Sequence, residues 1–347
     1  MTTDEAPAPA TVDPPTRDRA LGAFYGLALG DALGMPTQVM SRRDVVRAYG
    51  TLTGFEPAGP GNPVSAGMPA GSVTDDTEQA VLVGRLLAEG GGHIDPLRLA
   101  HELLDWEKEM RARGSLDLLG PSTKAALDAV ARGVPPGEAG RTGTTNGAAM
   151  RVTPVGIASR AGDGEDGPSG AFLDRVVESC QVTHDTTLGI AGAAAVAAAV
   201  STGVGGGTLD DAVAAAVGAA RAGAERGHWV AGADIAARIA WASELVAGVP
   251  EEQALDLVCS LVGTSVASQE SVPAAFAVLA VADGDPWRSA LLAANLGGDS
   301  DTIGAIAGAV AGSVAGLAAL PADAVATLRT VNDLELEPLT ERLLALR

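Results

Sequence analysis

Two short acidic segments hold the side chains of this sequence that are best suited to chemistry. One reads TDDTE over residues 74–78, and the other reads GGDSDT over residues 297–302. Each places carboxylates and a threonine hydroxyl at the predicted start of a helix. Oxygen donors of this kind suit a hard divalent cation such as Mg²⁺. Neither segment has a Lys or Arg within five residues, so any neutralising charge must come from elsewhere in the fold or from metal.

The first segment also fits an ordinary helix start. Asp75 followed three positions later by Glu78 is typical of a capping box, and acidic residues in a first turn interact favourably with the helix dipole. The second segment is harder to explain in this way, because the two glycines before Asp299 permit close approach of another backbone. Neither segment is specific alone, and both gain weight only in combination with three further segments.

These three segments have residue types that favour close contacts or ligand binding. GDALGMPT at 30–37 ends the first predicted helix with a glycine and a proline. GTTNGAAMR at 143–151 is a loop of small residues leading into a helix, where backbone N–H groups could bind phosphate or ribose oxygens. THD at 183–185 precedes a helix without charge. Taken singly, the loop indicates only a helix start, and a lone histidine is usually structural.

The composition predicts an all-α fold that positions these segments. Of 347 residues, 47% are hydrophobic and 3% aromatic, and there are 45 glycines, a mixture that suits closely packed helices better than sheets. Periodicity predicts helices over 18–33, 42–49, 76–89, 96–112, 122–132, 146–158, 171–181, 186–201, 209–225, 230–247, 251–262, 272–282, 286–295, 302–319 and 336–346. We predict one compact all-α domain over residues 17–347, after a disordered tail over residues 1–16 rich in Pro, Ala and acid.

Charge and patterning exclude several classes of function. With 23 Lys and Arg against 43 Asp and Glu, the net charge of −20 argues against nucleic-acid binding through a basic patch and against docking on anionic lipid. The uncharged segments 186–209 and 302–322 are built from small residues with carboxylates beside them, so we expect buried helices rather than membrane spans. In the second, glycines recur every four residues from Gly304, a stripe that would let another backbone approach. We expect a cytoplasmic protein, and nothing in the sequence indicates its oligomeric state.

Read in order, GDALGMPT, TDDT, NGAAMR, TH and GGDSDTIGAIAG resemble the ADP-ribosylglycohydrolase family, which includes the dinitrogenase reductase-activating glycohydrolase and the ADP-ribosyl-arginine and ADP-ribosyl-serine hydrolases. The resemblance covers about residues 18–320. It implies a compact all-α domain whose cleft holds two Mg²⁺ ions, with Mn²⁺ in some members. It implies hydrolysis of the bond at the anomeric carbon of an ADP-ribosyl group, on a protein or on a small-molecule or nucleoside conjugate.

The resemblance also implies roles for individual residues. The implied metal ligands are Thr74, Asp75, Asp76, Asp299, Asp301 and Thr302, with Asp301 bridging the two ions. The segment that begins at residue 146 and the histidine at 184 match family segments that hold the ribose and diphosphate. The implied substrate-binding residues are therefore Asn146, Gly147, Ala148, Ala149 and His184.

One position departs from the family pattern. Where characterised hydrolases of the family usually have a glutamate proposed to act on the leaving group or on water, this chain has Gln38. An amide exchanges no proton near neutral pH, so Gln38 is no general acid or base, although it can orient water or bond a substrate oxygen. Three outcomes follow: another carboxylate such as Asp31 substitutes, the metals activate water unaided, or the site binds without turnover. Gln38 and Asp31 are thus the candidate catalytic residues.

Three functions remain open at this point. The first is a Mg²⁺-dependent hydrolase of an ADP-ribosyl or related ribosyl bond. The second, motivated by Gln38, is a protein that binds ADP-ribose or a nucleotide without turnover. The third is a structural or assembly role, for which Mg²⁺ would not change the melting temperature, because only a bound ligand stabilises the native state by mass action.

Overall fold

Helices form all the regular secondary structure in the residues that the structure, a computed structural model, describes: 13–116, 118–162 and 167–347. Besides the α-helices, these residues form two 3₁₀-helices, Met35–Thr37 and Leu317–Ala319, one π-helical turn, Val258–Val262, and two isolated β-bridges, Thr145 with Ala267 and Thr186 with His228. The helices are α1 Pro14–Gly34, α2 Arg42–Tyr49, α3 Asp75–Glu89, α4 Pro96–Ala112, α5 Pro121–Ala131, α6 Pro136–Ala139, α7 Gly147–Met150, α8 Thr153–Ala158, α9 Gly170–His184, α10 Thr187–Val204, α11 Leu209–Ala224, α12 Ile235–Val246, α13 Glu251–Leu257, α14 Ser268–Val281, α15 Pro286–Ala294, α16 Ser300–Ala315, α17 Ala322–Asn332 and α18 Glu337–Leu344. The prediction of an all-α fold is confirmed.

Some helix bounds differ from those predicted. Helix α1 begins at Pro14 with Asp13 as its N-cap, so residues 14–16 belong to this helix and not to the predicted tail; residues 1–12 of that tail lie outside the described residues. The helix predicted over 146–158 is two short helices, α7 and α8, separated by Arg151 and Val152. Pro154 lies in the first turn of α8, where a proline is tolerated because the missing N–H would have no partner within the helix. Helix α17 was not predicted.

A seam of glycines joins α1 to α16 at the centre of the molecule. The two helices run antiparallel, so that Gly26 faces Gly308 and Gly30 faces Gly304. A Cβ atom on Gly26 would overlap the Gly308 carbonyl, and a Cβ on Gly308 would overlap the Gly26 carbonyl. The two backbones therefore pack directly on each other, as the glycine stripe predicts, and this packing fixes the ends of both helices.

Helix α10 is the other central helix. It is long and apolar enough to cross a membrane, but 89% of its apolar window is buried inside the protein. It packs against α11, α16 and α8 with alanines on nearly every face. The described part of the chain thus gives this helix the environment of a protein core, in agreement with the expectation of a buried helix.

Candidate metal and substrate site

The first acidic segment is held in place by Asp31, at the end of α1. Both oxygens of this buried carboxylate accept hydrogen bonds from the backbone N–H of Thr74, at 3.1 and 3.0 Å, and Oδ2 also accepts from the N–H of Thr77 at 3.1 Å. The hydroxyls of both threonines donate to it as well. Thr74 is the N-cap of α3, and its side chain accepts from the N–H of Asp76. Asp31 therefore aligns the start of α3.

This geometry assigns Asp31 to positioning. Its oxygens are occupied by donors of residues 74 and 77, and it lies behind the cleft wall rather than on it. Burial raises the pKa of this carboxyl to about 6, against the lowering effect of the threonine donors. Asp31 therefore supports the start of α3 in this structure, and its candidate role as a substitute for the missing glutamate stays a prediction.

The second acidic segment is held by backbone contacts. Gly297 and Gly298 have φ angles of +69° and +68°, a conformation that favours glycine. The N–H of Gly298 donates to the carbonyl of Met40 at 2.7 Å, and the Gly298 carbonyl accepts from the N–H of Val39 at 2.6 Å. The N–H of Asp299 donates to the carbonyl of Thr264 at 2.7 Å. The close backbone approach expected of the two glycines is confirmed.

The two segments meet at the starts of α3 and α16. The hydroxyl of Thr302 donates to Oδ2 of Asp76 at 3.2 Å, a contact between residues 226 positions apart in the chain. The end of α1 permits the meeting, because a Cβ atom on Gly34 would come within 2.5 Å of the Asp301 Cα. The seam between α1 and α16 thus continues into the site.

Negative charge accumulates where the segments meet. Burial raises the pKa of Asp76 well above its ordinary value, and the nearby carboxylates of Asp75, Asp301, Asp31 and Asp299 raise it further. Burial also raises the pKa of Asp299 to about 6, although hydrogen bonds from Asn146 and Thr302 act in the opposite direction. Oδ1 of Asp76 is buried without a hydrogen-bond partner. An unsatisfied carboxylate oxygen among like charges is costly unless a cation or proton joins it.

The residues present fit a hard divalent cation by their chemistry. The set that the resemblance implies contains only carboxylates and hydroxyls, and buried Oδ1 of Asp76 is an acceptor in need of a partner. Among the described residues, no group of three or more Asp, Glu, His or Cys side chains forms a closed arrangement for an ion. The fit therefore rests on donor type, charge and the buried oxygen, and not on a completed coordination shell.

A cleft of about 290 Å³ opens beside the segments. Asp75, Asp299, Asp301 and Thr302 line it, whereas Thr74 and Asp76 lie behind this wall. We call Asp75, Asp299, Asp301 and Thr302 the acidic wall. The lining also includes aliphatic side chains, those of Val39, Val64, Leu116, Leu118, Leu119 and Val266. The cleft thus combines an apolar lining with a few placed polar groups, as small-molecule sites do.

The loop before α7 contributes Asn146 to this cleft. Its side-chain Nδ2 donates to Oδ2 of Asp299 and, at 2.9 Å, to the hydroxyl of Ser271. Its backbone N–H donates to the carbonyl of Val266 at 2.9 Å. Gly147 lines the cleft next to it, with the ring of His184 directly behind. Asn146 therefore holds a proposed metal ligand as well as facing the cleft.

The other predicted substrate-binding residues lie behind the wall. Ala148 and Ala149 are each 1% exposed and belong to the hydrophobic core. His184 is fully buried, and its ring nitrogens lie 2.8 Å from the Thr183 hydroxyl and 3.0 Å from the Thr145 hydroxyl. Burial and the charge of Arg151 hold the pKa of His184 well below its ordinary value. Packing and hydrogen bonds thus occupy these three side chains in this structure, and the part of the three residues in substrate binding stays a prediction.

Gln38 reaches the cleft from a strained turn. Its side chain is 5% exposed, it lines the cleft, and its Nε2 has no hydrogen-bond partner. The following residue, Val39, has φ +63°, which is rare for a β-branched residue. The Nδ2 of Asn62 donates to the Gln38 carbonyl at 3.0 Å and fixes the backbone. Gln38 thus combines a place in the cleft lining with a buried amide nitrogen that has no acceptor among the described residues.

The sequence interpretation missed two buried residues behind this site. Gln79 donates from Nε2 to Oδ2 of Asp75 at 2.9 Å, and its Oε1 accepts from Nη1 of Arg151 at 2.8 Å. Arg151 is the last residue of the NGAAMR motif, so the motif contained the signal, but its role depends on contacts far away in sequence. It is the cation that neither acidic segment carries nearby in the chain.

Comparisons with known proteins agree with the fold and the motifs. The family model described as ADP-ribosylglycohydrolase matches residues 13–347. YegU of Escherichia coli, whose function is uncharacterised, is 36% identical over 319 residues, 92% of this chain and 94% of its own. The ADP-ribosyl-(dinitrogen reductase) glycohydrolase of Rhodospirillum rubrum is 31% identical over 146 residues, 42% of this chain and 46% of its own.

A solved structure agrees over almost the whole chain. An ADP-ribosylglycohydrolase-related protein complex superposes with a TM-score of 0.64 at 25% identity, covering 95% of this chain and 97% of that one. The family match spans all but the first twelve residues. This chain therefore belongs to the ADP-ribosylglycohydrolase family, a family of glycohydrolases.

Proposed function

We propose that this protein is a Mg²⁺-dependent hydrolase that cleaves the bond at the anomeric carbon of an ADP-ribosyl, or related ribosyl, group and releases ADP-ribose. The observation that carries the proposal is the contact between the two acidic segments, where Thr302 donates to Asp76 at the edge of a cleft. Family membership supplies the reaction class. The cytoplasm is the compartment we propose for it.

The acidic wall is the proposed binding place for two cations. Asp75, Asp76, Asp299 and Asp301 would hold them together with the hydroxyls of Thr74 and Thr302. When bound, such cations supply positive charge that stabilises oxygen atoms gaining negative charge as a bond breaks. The chain prepares this wall in advance, because Asp31 aligns α3 and Asn146 holds Asp299. Preorganisation of this kind avoids reorganisation during the reaction.

Gln38 has a proposed role as a hydrogen-bond donor. Gln38 lines the cleft, and its buried Nε2 has no protein partner, so we assign it the role of donating to a substrate oxygen or to a water molecule. It cannot take or give a proton near neutral pH. The amide therefore orients one of the reacting groups, and no proton transfer is assigned to it.

The same residue supports a second candidate function. A site with the family's acidic wall but with an amide in place of a carboxylate is able to bind ADP-ribose without hydrolysing its conjugates. Gln38 is the single observation in favour of this alternative. It predicts tight binding of ADP-ribose with no turnover, and a gain of activity when the carboxylate is restored.

A second cavity lies next to the first cleft. It has a volume of about 500 Å³ and shares Val39, Val266 and Asp299 with the first cleft. Its walls include Met40, Leu296 and Cys259 with the hydroxyls of Thr264 and Ser265. Its arginine, Arg42, is engaged by Asp256 at 2.9 Å and by the Asn295 carbonyl at 3.0 Å.

We assign this second cavity to the leaving group. A glycoside extends on both sides of its anomeric carbon, and the two cavities meet at Asp299. Because the second cavity is mainly apolar, it favours an uncharged small-molecule or nucleoside leaving group over the cationic side chain of arginine. Its size falls in the usual range for small-molecule sites.

The experiment that tests the hydrolase measures ADP-ribose release. Purified protein is incubated with conjugates of arginine, serine and nucleosides, each with Mg²⁺, with Mn²⁺ and with EDTA. We expect release that depends on the cation and is fastest with an uncharged leaving group. The matched control is Asp76→Asn, which keeps the shape of the side chain and removes its charge. Absence of cation-dependent release from every conjugate contradicts the hydrolase proposal.

Gln38→Glu separates the two candidate functions. If the chain is a hydrolase that uses the amide for orientation, the variant changes the rate modestly in either direction. If the chain is a binding protein, calorimetry detects ADP-ribose binding to the wild type, and the variant gains turnover, by a factor of about 10² or more for a restored acid or base. Gln38→Met, of similar length and without hydrogen bonds, is the control.

A further inference from the structure

A buried arginine lies behind the acidic wall. Arg151 is 1% exposed, which is unusual for a charged side chain. Its two polar contacts are with neutral groups: Nη1 donates to Oε1 of Gln79 at 2.8 Å, and Nη2 donates to the hydroxyl of Thr183 at 2.7 Å. Burial lowers the pKa of Arg151, whereas the charge of Asp75 also acts on this guanidinium and raises its pKa. A buried charge whose direct hydrogen-bond partners are neutral is costly and calls for a reason.

One arm of contacts runs from Arg151 to the first acidic segment. Because the guanidinium donates to Oε1 of Gln79, the amide of Gln79 is fixed in one orientation, with its NH₂ group on the other side. That group donates to Oδ2 of Asp75 at 2.9 Å. Gln79 thus transmits the position of Arg151 to Asp75, which lines the cleft.

The other arm runs toward the second acidic segment. The hydroxyl of Thr183, which accepts from Arg151, lies 2.8 Å from Nδ1 of His184. Nε2 of His184 lies 3.0 Å from the hydroxyl of Thr145. The next residue, Asn146, donates to Asp299. The two arms therefore link Arg151 to both acidic segments.

We infer that Arg151 is a positioning residue, which holds Asp75 through Gln79 and holds the 143–147 loop through Thr183 and His184, so that both acidic segments are preset for a divalent cation. This inference rests on the proposed function, because it requires that the acidic wall binds a cation. The guanidinium suits the task because its planar fork donates in two fixed directions, which a lysine ammonium does not do. Its charge also offsets part of the repulsion among the carboxylates.

The test measures cation binding without substrate. Mn²⁺, a paramagnetic probe for such sites, is titrated into the metal-free wild type and into Arg151→Met, Arg151→Lys, Gln79→Leu and Thr183→Val, with free Mn²⁺ followed by electron paramagnetic resonance. Partners that orient metal ligands typically contribute 10–100-fold to metal affinity. We expect Arg151→Met to weaken Mn²⁺ binding by a factor of about 10 or more. Arg151→Lys should keep more of the wild-type affinity than Arg151→Met but not all of it. Gln79→Leu and Thr183→Val each cut one arm, and each should weaken binding by a smaller factor.

The control is Arg175→Met. Arg175 donates from Nη1 to the hydroxyl of Ser159 at 2.9 Å, a similar arginine–hydroxyl contact that does not lead to the acidic wall. This variant should bind Mn²⁺ as the wild type does. Circular dichroism and melting curves in EDTA identify any variant that does not fold. If Arg151→Met does not fold, the Mn²⁺ affinities of Gln79→Leu and Thr183→Val test the inference instead.

The outcomes separate this inference from the proposed function. Weaker Mn²⁺ binding by folded variants, with the control unchanged, supports it. Lower melting temperatures with unchanged Mn²⁺ affinity overturn it, since they show a purely structural arginine. If the wild type itself does not bind Mn²⁺, the proposed metal site fails and this inference fails with it.

Discussion

The two acidic segments reach the same cleft but are held there by different means. The segment at 74–77 is fixed by a side chain, since Asp31 accepts hydrogen bonds from both of its threonines. The segment at 297–302 is fixed by backbone, since its two glycines bring their peptide groups into contact with Met40, Val39 and Thr264. One carboxylate supports the first segment, whereas backbone contacts hold the glycine turn of the second and the side chain of Asn146 holds its Asp299.

This difference shows how one helix organises both halves of the site. Helix α1 supplies Asp31 to the first segment, and its glycines, ending at Gly34, allow α16 to approach. A carboxylate is specific but vulnerable to the loss of one residue, whereas a glycine contact is vulnerable to the addition of a single methyl group. The two segments should therefore fail under opposite kinds of substitution.

The largest effect is expected from Asp31→Ala. It leaves the buried N–H groups of Thr74 and Thr77 and their hydroxyls without an acceptor, and each unsatisfied buried group costs about 1–3 kcal/mol. We expect the free energy of unfolding to fall by about 4 kcal/mol, measured by urea denaturation. Asp31→Asn, which keeps one acceptor oxygen, should lose less.

The control for this variant is Asp234→Ala. Asp234 is an exposed N-cap whose side chain accepts from the N–H of Ala237, so its removal should cost only about 1 kcal/mol. Equal losses for the two variants would show that Asp31 is no more than an ordinary cap, and the contrast between the two segments would disappear.

The next effect in size is expected from Gly298→Ala. The φ angle of +68° costs an alanine about 1–2 kcal/mol, and its Cβ would overlap Thr264, so the total loss should be about 3 kcal/mol. Gly50→Ala is the matched control, because Gly50 has φ +72° with nothing within 4 Å of an added Cβ. Gly50→Ala should lose only about 1–2 kcal/mol, which is what the positive φ angle costs an alanine. If thermal melting finds both variants equally stable, close approach at Gly298 is not what holds the second segment.

The smallest expected effect concerns pH in the metal-free protein. Burial raises the pKa of Asp299 to about 6 from an ordinary value near 3.8. Because the pKa is higher in the folded state, protonation of Asp299 stabilises the folded protein. This stabilisation is complete below about pH 4 and is lost as the pH rises through about 6.

Asp299→Asn tests whether the stability of the metal-free protein falls as Asp299 loses its proton. In EDTA, the variant should gain on the order of 1–2 kcal/mol relative to wild type between pH 4 and pH 7, as measured by denaturation at each pH. A difference between variant and wild type that is independent of pH would contradict the burial of this carboxylate beside its acidic neighbours.

Local sequence signals determined much of the helix pattern. Helix α2 begins and ends where predicted, because Ser41 caps it and Gly50 ends it. The glycine stripe of α16 predicted a close helix contact, although the partner helix α1 could not be read from it. The break at Arg151 and helix α17 escaped prediction.

The residue types of the site were also visible in the sequence. Each of the motifs 30–37, 74–77, 146–151 and 297–302 contributes a residue to the cleft or to its supports, and the family match agrees with them. The roles within these motifs were less visible. Asp31 and His184 were interpreted as chemical groups, and the fold shows both of them engaged by threonines.

What the sequence determined by itself is therefore local: helical periodicity, caps, glycine stripes and the kinds of donor atom that the motifs carry. The tertiary structure alone decided which of those donors face the cleft and which support it from behind. The physical reason is that a polar side chain acquires its role from its partners, and here these come from distant parts of the chain. Arg151 illustrates this, since Gln79 and Thr183 lie 72 and 32 positions away from it.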